Sequence, residues 1–331
     1  MSPIALGVEF DDPVLERSVR AGLDAIETQL RTAVDSEDEF VAGAARHLVY
    51  AGGKRFRPMV TMLAAQFGDP ARPEIVPSAV VCELTHLATL YHDDVMDEAP
   101  VRRGAESANA RWDNTVAILT GDFLFSRASK ILADLGPFAV RLQARTFERL
   151  VTGQIRETVG PRPGVDPIDH YLAVLADKTG SLIATAAEFG AHYAGTGPEV
   201  VESLRTFGEQ IGVAFQLSDD ILDVASESAE SGKTPGTDLR EGIATLPALY
   251  ALRGTDGADQ RLRELVARPL PDDAEHAEAL RLLRASAAME QARQTLRSYA
   301  ARARETLGAL PDVPARGAFA TLTEIVIART G

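Results

Sequence analysis

Apolar residues recur three and four positions apart along most of the chain, as in "LERSVRAGLDAIETQLRTAV", "SAVVCELTHLATLYHDDV", "DHYLAVLADKTGSLIATAAEFGAHY" and "SLRTFGEQIGVAFQLSDDILDV". That spacing gathers them on one face of an α-helix, while the strict alternation of a half-buried strand is scarce. Stretches rich in Gly and Pro separate the periodic segments, among them "AGGKRFRP", "GDPARPEIVP", "EAPVRRG", "GPRPGVDP", "SGKTPGTD" and "RPLPDDAE". The pattern predicts about a dozen helices with short connections, and therefore an all-α, mostly antiparallel bundle. No repeat with a period of roughly 20 to 50 residues is present, which argues against a solenoid.

Composition narrows the class. The 331 residues include no Ser/Gly-rich linker, low-complexity block or composition shift, so residues 1–331 are expected to form one large domain. Lys and Arg number 34 against 48 acids, a net charge of −14, which disfavours a nucleic-acid partner and standing attachment to anionic lipid. Cys82 is the only cysteine, so no intrachain disulfide forms. No basic region leads into a long apolar run, and no segment approaches the roughly 20 apolar residues of a membrane span. The expectation is a cytoplasmic protein without stable membrane insertion.

Against this acidic background two short stretches stand out. In "YHDDVMDEAPVRRG", Asp93, Asp94 and Asp97 fall at i, i+1 and i+4, within one helical face; "FQLSDDILD" repeats the spacing with Asp219, Asp220 and Asp223, and Gln216 lies two turns before Asp223. Both triplets sit where the helical pattern ends, the end whose dipole disfavours acids, and mutual repulsion adds to the strain. Their neighbours are apolar, so the helices read as core helices ending at a cleft. Clustered carboxylates with few other donors suit Mg2+, which keeps water or phosphate oxygens in its shell and so points to a phosphate or diphosphate ligand. One such run alone would read as a solvated face; the repeat makes that reading weaker.

Basic residues are concentrated nearby. "AGGKRFRP" presents Lys54, Arg55 and Arg57 beside Gly52 and Gly53, where backbone can approach an anion, and Arg102 and Arg103 follow the first triplet. The same segment also reads as a solvated helix start. His86, two turns before Asp93, reads equally as a core histidine and as a ligand, whereas His92 reads as structural.

These motifs resemble the trans-polyprenyl diphosphate synthase family, the all-E isoprenyl diphosphate synthases, through "GGKRFRP", "HLATLYHDDVMDEAPVRRG", "GDFLFSRAS", "KTGSLI", "FQLSDDILD" and "GKTPGTDLREG" in order. The resemblance implies a single helical bundle around a central cavity, of isoprenoid synthase type, and a homodimer. It implies that Asp93, Asp94, Asp97, Asp219, Asp220 and Asp223 hold Mg2+ against an allylic diphosphate. Gly53, Lys54, Arg57, His86 and Arg103 would then bind isopentenyl diphosphate. Arg102, Lys178, Thr179, Gln216 and Lys233 match positions around the allylic diphosphate and its developing cation. The implied reaction is ionisation, condensation and proton loss, which needs no nucleophilic side chain. The family's chain-length positions before the first aspartate are Ala88 and Thr89, both small, as in members making long products, and Phe147 is a candidate floor for the growing tail. Small residues there would equally permit close helix packing. Heptaprenyl to nonaprenyl products, suited to a quinone side chain, are therefore expected, with geranylgeranyl or farnesyl diphosphate as the alternative.

Three rivals are weaker. A terpene cyclase would carry Asn and Ser in its second metal set and would not need "GGKRFRP". A metal-dependent phosphohydrolase would want further histidines at ligand spacing. A non-catalytic partner subunit would be expected to lose one acidic triplet.

Overall fold

The computed structural model describes residues 8, 10–226, 235–255 and 259–330. The helical expectation holds. The chain runs through α1 (Pro13–Ala33), α2 (Glu39–Tyr50), α3 (Phe56–Ala65) and α4 (Ile75–Met96), then a hairpin of β1 (Val101–Arg102) and β2 (Ala105–Glu106). There follow α5 (Ala108–Arg111), α6 (Asn114–Leu135), α7 (Pro137–Val159) and α8 (Pro167–Leu175), a π-helical turn (Ala176–Gly180), then α9 (Ser181–Tyr193) and α10 (Pro198–Ala225). The remainder is α11 (Thr237–Glu241), α12 (Leu246–Arg253), α13 (Gln260–Val266), α14 (Asp273–Ala285), α15 (Ala287–Thr306) and α16 (Pro314–Ala328).

The helix starts are written locally. Asp12 precedes Pro13 and accepts from the Val14 and Leu15 amides, each at 2.8 Å; Asp166 precedes Pro167 and accepts from Ile168 and Asp169. An acid at the cap satisfies amides that have no helical partner, and proline loses nothing at the first position.

The residues cluster into two compact units. One comprises Met1–Glu148, Leu182–Gly208 and Thr306–Ala320; the other comprises Arg149–Ser181, Glu209–Glu305 and Thr321–Gly331. In the first unit α4 is apolar nearly all round and is buried accordingly, with Ile75, Val80, Leu84, Leu87 and Ala88 inaccessible. It packs chiefly on α6, and Gly121 permits the approach, since a β-carbon there would lie 2.3 Å from His92 Nε2. Tyr91 is fully buried, and its hydroxyl donates to the Ala44 carbonyl at 2.5 Å, tying α4 to α2. The second unit has its own buried side chains, including Ile211, Val213, Leu217 and Ile221 of α10 and Leu265, Leu283 and Leu296 from later helices.

Candidate active site

The last turn of α4 carries the first triplet. Asp94 is completely inaccessible, Asp93 is half-buried and Asp97 caps the helix in the open. The chain then reverses in a two-residue hairpin loop, Arg103 and Gly104, with φ of 55° and 76°. Positive φ at both positions matches the twist of the flanking strands. The hairpin sends its two arginines to different partners. Arg102 Nε donates to Asp94 Oδ1 at 2.5 Å, and its Nη2 lies 3.7 Å from Asp97 Oδ2. Arg103 Nη1 donates to the carbonyls of Leu48, at 3.1 Å, and Gly52. Burial raises the Asp94 pKa, and the Arg102 hydrogen bond and charge only partly offset it.

The loop before α3 forms the cationic counterpart. Gly52, Gly53 and Arg55 have φ of 93°, 140° and 48°. A β-carbon at Gly53 would also stand 2.8 Å from the Arg103 guanidinium, the far end of a long side chain, so it is the φ of 140° that calls for glycine there. Arg57 Nε is buried without a partner, and desolvation lowers the Arg57 pKa. His86 is held well below its ordinary pKa by desolvation and by Arg57, Arg103, Arg55 and Arg102, and so is neutral. Lys54 is exposed at the rim.

Arg55 differs from the sequence reading, which grouped it with Lys54 and Arg57 as a diphosphate ligand. Its guanidinium turns inward to Glu27, at 2.9 Å, Glu83, at 3.1 Å, and the carbonyls of Val49 and Gly52. It braces the loop, because those bonds consume the donors an anion would need. Of the chain-length candidates, Ala88 is fully buried, Thr89 donates to the His86 carbonyl at 2.8 Å, and Phe147 lies edge-on to Phe125 with ring centroids 4.6 Å apart. His92 faces the Ile118 carbonyl at 3.0 Å between α4 and α6, in the structural role its sequence context suggested.

In the second unit the final turns of α10 carry Gln216, Asp219, Asp220 and Asp223. Asp220 accepts from Gln216 Nε2 at 3.0 Å and, through a short bond, from the Tyr171 hydroxyl. Thr179 Oγ1 donates to Gln216 Oε1 at 3.3 Å, so Thr179, Gln216, Asp220 and Tyr171 form one chain. Desolvation pushes the Asp220 pKa up to about 6 despite these donors, and raises the Tyr171 phenol well above its ordinary range. Asp219 accepts from Arg329 Nη2 at 2.5 Å.

Lys178 and Thr179 lie on the π-helical turn. The extra residue in such a turn re-aims side chains that regular helix would point elsewhere. Asp177 fixes it by accepting from Arg149 at 2.9 Å and Arg156 at 2.8 Å, while Lys178 Nζ lies 2.6 Å from Glu157 Oε2. Lys233 lies outside the described residues. Sequence reading missed Tyr171, Arg329 and the Arg149–Asp177 pair. Tyr171 alone had a local signal, standing seven residues before Lys178 and followed by the apolar run Leu172–Leu175.

Among the described residues, no three His, Cys, Asp or Glu side chains form a ready-made metal cage. The donor sets nevertheless fit a hard divalent cation, which takes one or two carboxylates and completes its shell with water or phosphate oxygen. Asp94 and Asp220 are buried carboxylates whose pKa values burial raises, surroundings that a bound cation would offset.

Comparison with known proteins is consistent across sequence and structure. Residues 38–283 match the family model described as Polyprenyl synthetase. The chain is 52% identical over 329 residues to the nonaprenyl diphosphate synthase of Mycobacterium tuberculosis, covering 99% of this chain and 98% of that one. The geranylgeranyl pyrophosphate synthase of Corynebacterium glutamicum, complexed with calcium and isoprenyl diphosphate, superposes with a TM-score of 0.88 at 46% identity, covering 98% of this chain and all of its own. A decaprenyl diphosphate synthase from Rhodobacter capsulatus gives 0.87 at 32% identity, with coverage of 96% and 98%.

Proposed function

The chain belongs to the polyprenyl synthetase family of trans-prenyltransferases, and we propose that it extends an allylic diphosphate with isopentenyl diphosphate to a heptaprenyl-to-nonaprenyl diphosphate. Its fold is the all-α isoprenoid synthase fold of its structural relatives. The observation that carries the reading is the pairing of two aspartate triplets of identical spacing with a separate cationic pocket around Arg57, Arg103 and neutral His86. Carboxylates call for a metal-bound diphosphate; unpaired guanidinium donors call for one bound directly.

Asp93, Asp94 and Asp97, and Asp219, Asp220 and Asp223, are the proposed ligand sets for Mg2+. When bound, the metal supplies Lewis-acid neutralisation of charge on the allylic diphosphate. Arg102, Lys178 and Lys233 bind that diphosphate. Lys54, Arg57, His86 and Arg103 hold isopentenyl diphosphate on the shaped loop at Gly53. The allylic C–O bond breaks, and Thr179 and Gln216 present oxygen dipoles to the resulting cation. The double bond of isopentenyl diphosphate attacks, and a proton leaves to the departing diphosphate. Charge stabilisation by preorganised groups carries the rate.

Small Ala88 and Thr89 and the nonaprenyl and decaprenyl relatives support a long product, while the geranylgeranyl relative makes twenty carbons the second reading. The two units act as one catalytic domain in this proposal. Exposed Ile118, Leu119, Val140 and Phe147 on α6 and α7 offer an apolar surface that a second copy would cover, in support of a homodimer. No helix among the described residues is long and apolar enough to cross a membrane, in keeping with a proposed cytoplasmic location.

Purified protein with Mg2+, farnesyl diphosphate and excess isopentenyl diphosphate is expected to yield a ladder ending between heptaprenyl and nonaprenyl by mass spectrometry. A stop at geranylgeranyl would leave elongation standing and remove the long product; no extension with any allylic primer would remove the synthase reading. In the same assay Ala88→Phe is expected to shorten the ladder by several isoprene units.

A further inference from the structure

Each aspartate triplet meets an arginine. Arg102 at Asp94 belongs to a motif already legible in the sequence, but Arg329 at Asp219 belongs to none. Arg329 follows the last residue of α16, and its amide bonds the Ile325 carbonyl at 3.2 Å, so the helix continues to it and fixes its position. The end of a helix favours a cation, which lowers the cost of holding a guanidinium here. Two contacts and one unused donor define the side chain. Nη2 donates to Asp219 Oδ1 at 2.5 Å, the guanidinium lies over the Phe215 ring at 5.0 Å, and Nη1 is buried with no hydrogen-bond partner. Only 19% of the side chain is exposed, so this is not a solvated surface pair.

The three acids of this triplet are compensated unevenly. Asp220 is satisfied by a phenol and a carboxamide, neither of which brings charge. Asp219 receives a full positive charge, on one of its two carboxylate oxygens. We infer that Arg329 is the built-in counter-ion of the second triplet: it neutralises Asp219 while metal is absent, must yield that oxygen when metal binds, and then presents its fork to the diphosphate the metal brings. The inference rests on the proposed metal role of Asp219. Stacking on Phe215 holds the guanidinium close to its first position after the exchange, and the idle Nη1 gives it a donor ready for a phosphate oxygen. In the metal-free state the guanidinium cancels one of the three carboxylate charges, which lessens the repulsion they would otherwise suffer on one helical turn.

Competition between the guanidinium and the metal makes a signed prediction in substrate-free protein. Mn2+ affinity, followed by loss of the free-ion EPR signal, is compared in wild type, Arg329→Gln, Arg329→Lys and Asp219→Asn. Arg329→Gln is expected to bind Mn2+ about threefold to tenfold more tightly, the range of a partly buried ion pair. Arg329→Lys, which keeps the charge and loses the fork, is expected to fall between it and wild type. Asp219→Asn is expected to bind more weakly. Affinities of both Arg329 variants at or below wild type, with Asp219→Asn weakened, would overturn the counter-ion role alone. An Asp219→Asn affinity equal to wild type would instead overturn the ligand assignment beneath it.

Discussion

Asp94 on α4 meets a guanidinium, that of Arg102 at 2.5 Å, whereas Asp220, its counterpart on α10, meets a phenol and a carboxamide. Both are buried, and burial raises both carboxyl pKa values. Identical spacing in the sequence is therefore compatible with two electrostatic solutions. In the first unit the acid is paired with a cation, which partly offsets the effect of burial; in the second it is oriented by neutral donors that bring no charge, and compensation falls to its neighbour. A repeated motif fixes which side chains share a face, and the partners that face meets decide how each one behaves.

The largest test of this comparison removes the charge from each counterpart. Asp94→Asn and Asp220→Asn are each expected to lower kcat about 10^3-fold, the scale of several kcal/mol of lost charge stabilisation. Equal losses would mark the two triplets as equivalent in the chemistry despite their different surroundings; a loss confined to one would assign the metal role to that triplet alone.

Changing the partners separates the two solutions more finely. Tyr171→Phe removes only an orienting hydroxyl, so the Mg2+ concentration at half-maximal rate is expected to rise about tenfold, as for other supports of metal ligands, with little change in KM for the allylic diphosphate. Arg102→Gln removes a charge that pairs with the acid and is proposed to meet the allylic diphosphate, and both quantities are expected to rise about tenfold. Steady-state kinetics over varied Mg2+ and primer distinguish the patterns, and an equal KM effect in both variants would dissolve the distinction.

The smallest effect concerns the surplus positive charge around His86. Its folded-state pKa lies well below its ordinary value of 6.5, so the folded protein binds fewer protons there than the unfolded chain. Stability from this site is present above that value and is lost as the pH falls below it. His86→Gln is therefore expected to gain about 2 °C in Tm relative to wild type on going from pH 8 to pH 5.5. A pH-independent difference between the two would show that the pocket does not suppress protonation.

Much of this was legible because it is local. Helical periodicity gave the long helices, and the i, i+1, i+4 spacing of each triplet gave a shared face. The hairpin at Val101–Glu106 was not, since two-residue strands are too short to alternate visibly. Nor was the π-helical turn, a change of backbone register that side-chain identity does not announce. Tyr171 and Arg329 reach partners 49 and 110 residues away, beyond any spacing argument. Arg55 failed for the opposite reason: its place in "GGKRFRP" made it look like its neighbours, and a left-handed φ of 48° turned it inward to acids from α1 and α4.

Arg102 and Arg103 are adjacent in the chain and yet serve opposite sides of one hairpin, the first reaching the aspartate triplet and the second the loop before α3. Their directions are set together by a single two-residue loop. An insertion or deletion of one residue between Val101 and Glu106 would thus misdirect both arginines in the same event, so the two proposed diphosphate sites share one mechanical hinge pin. Evolution, or an engineer, can retune either arginine by substitution, but neither can be repositioned without dragging the other along.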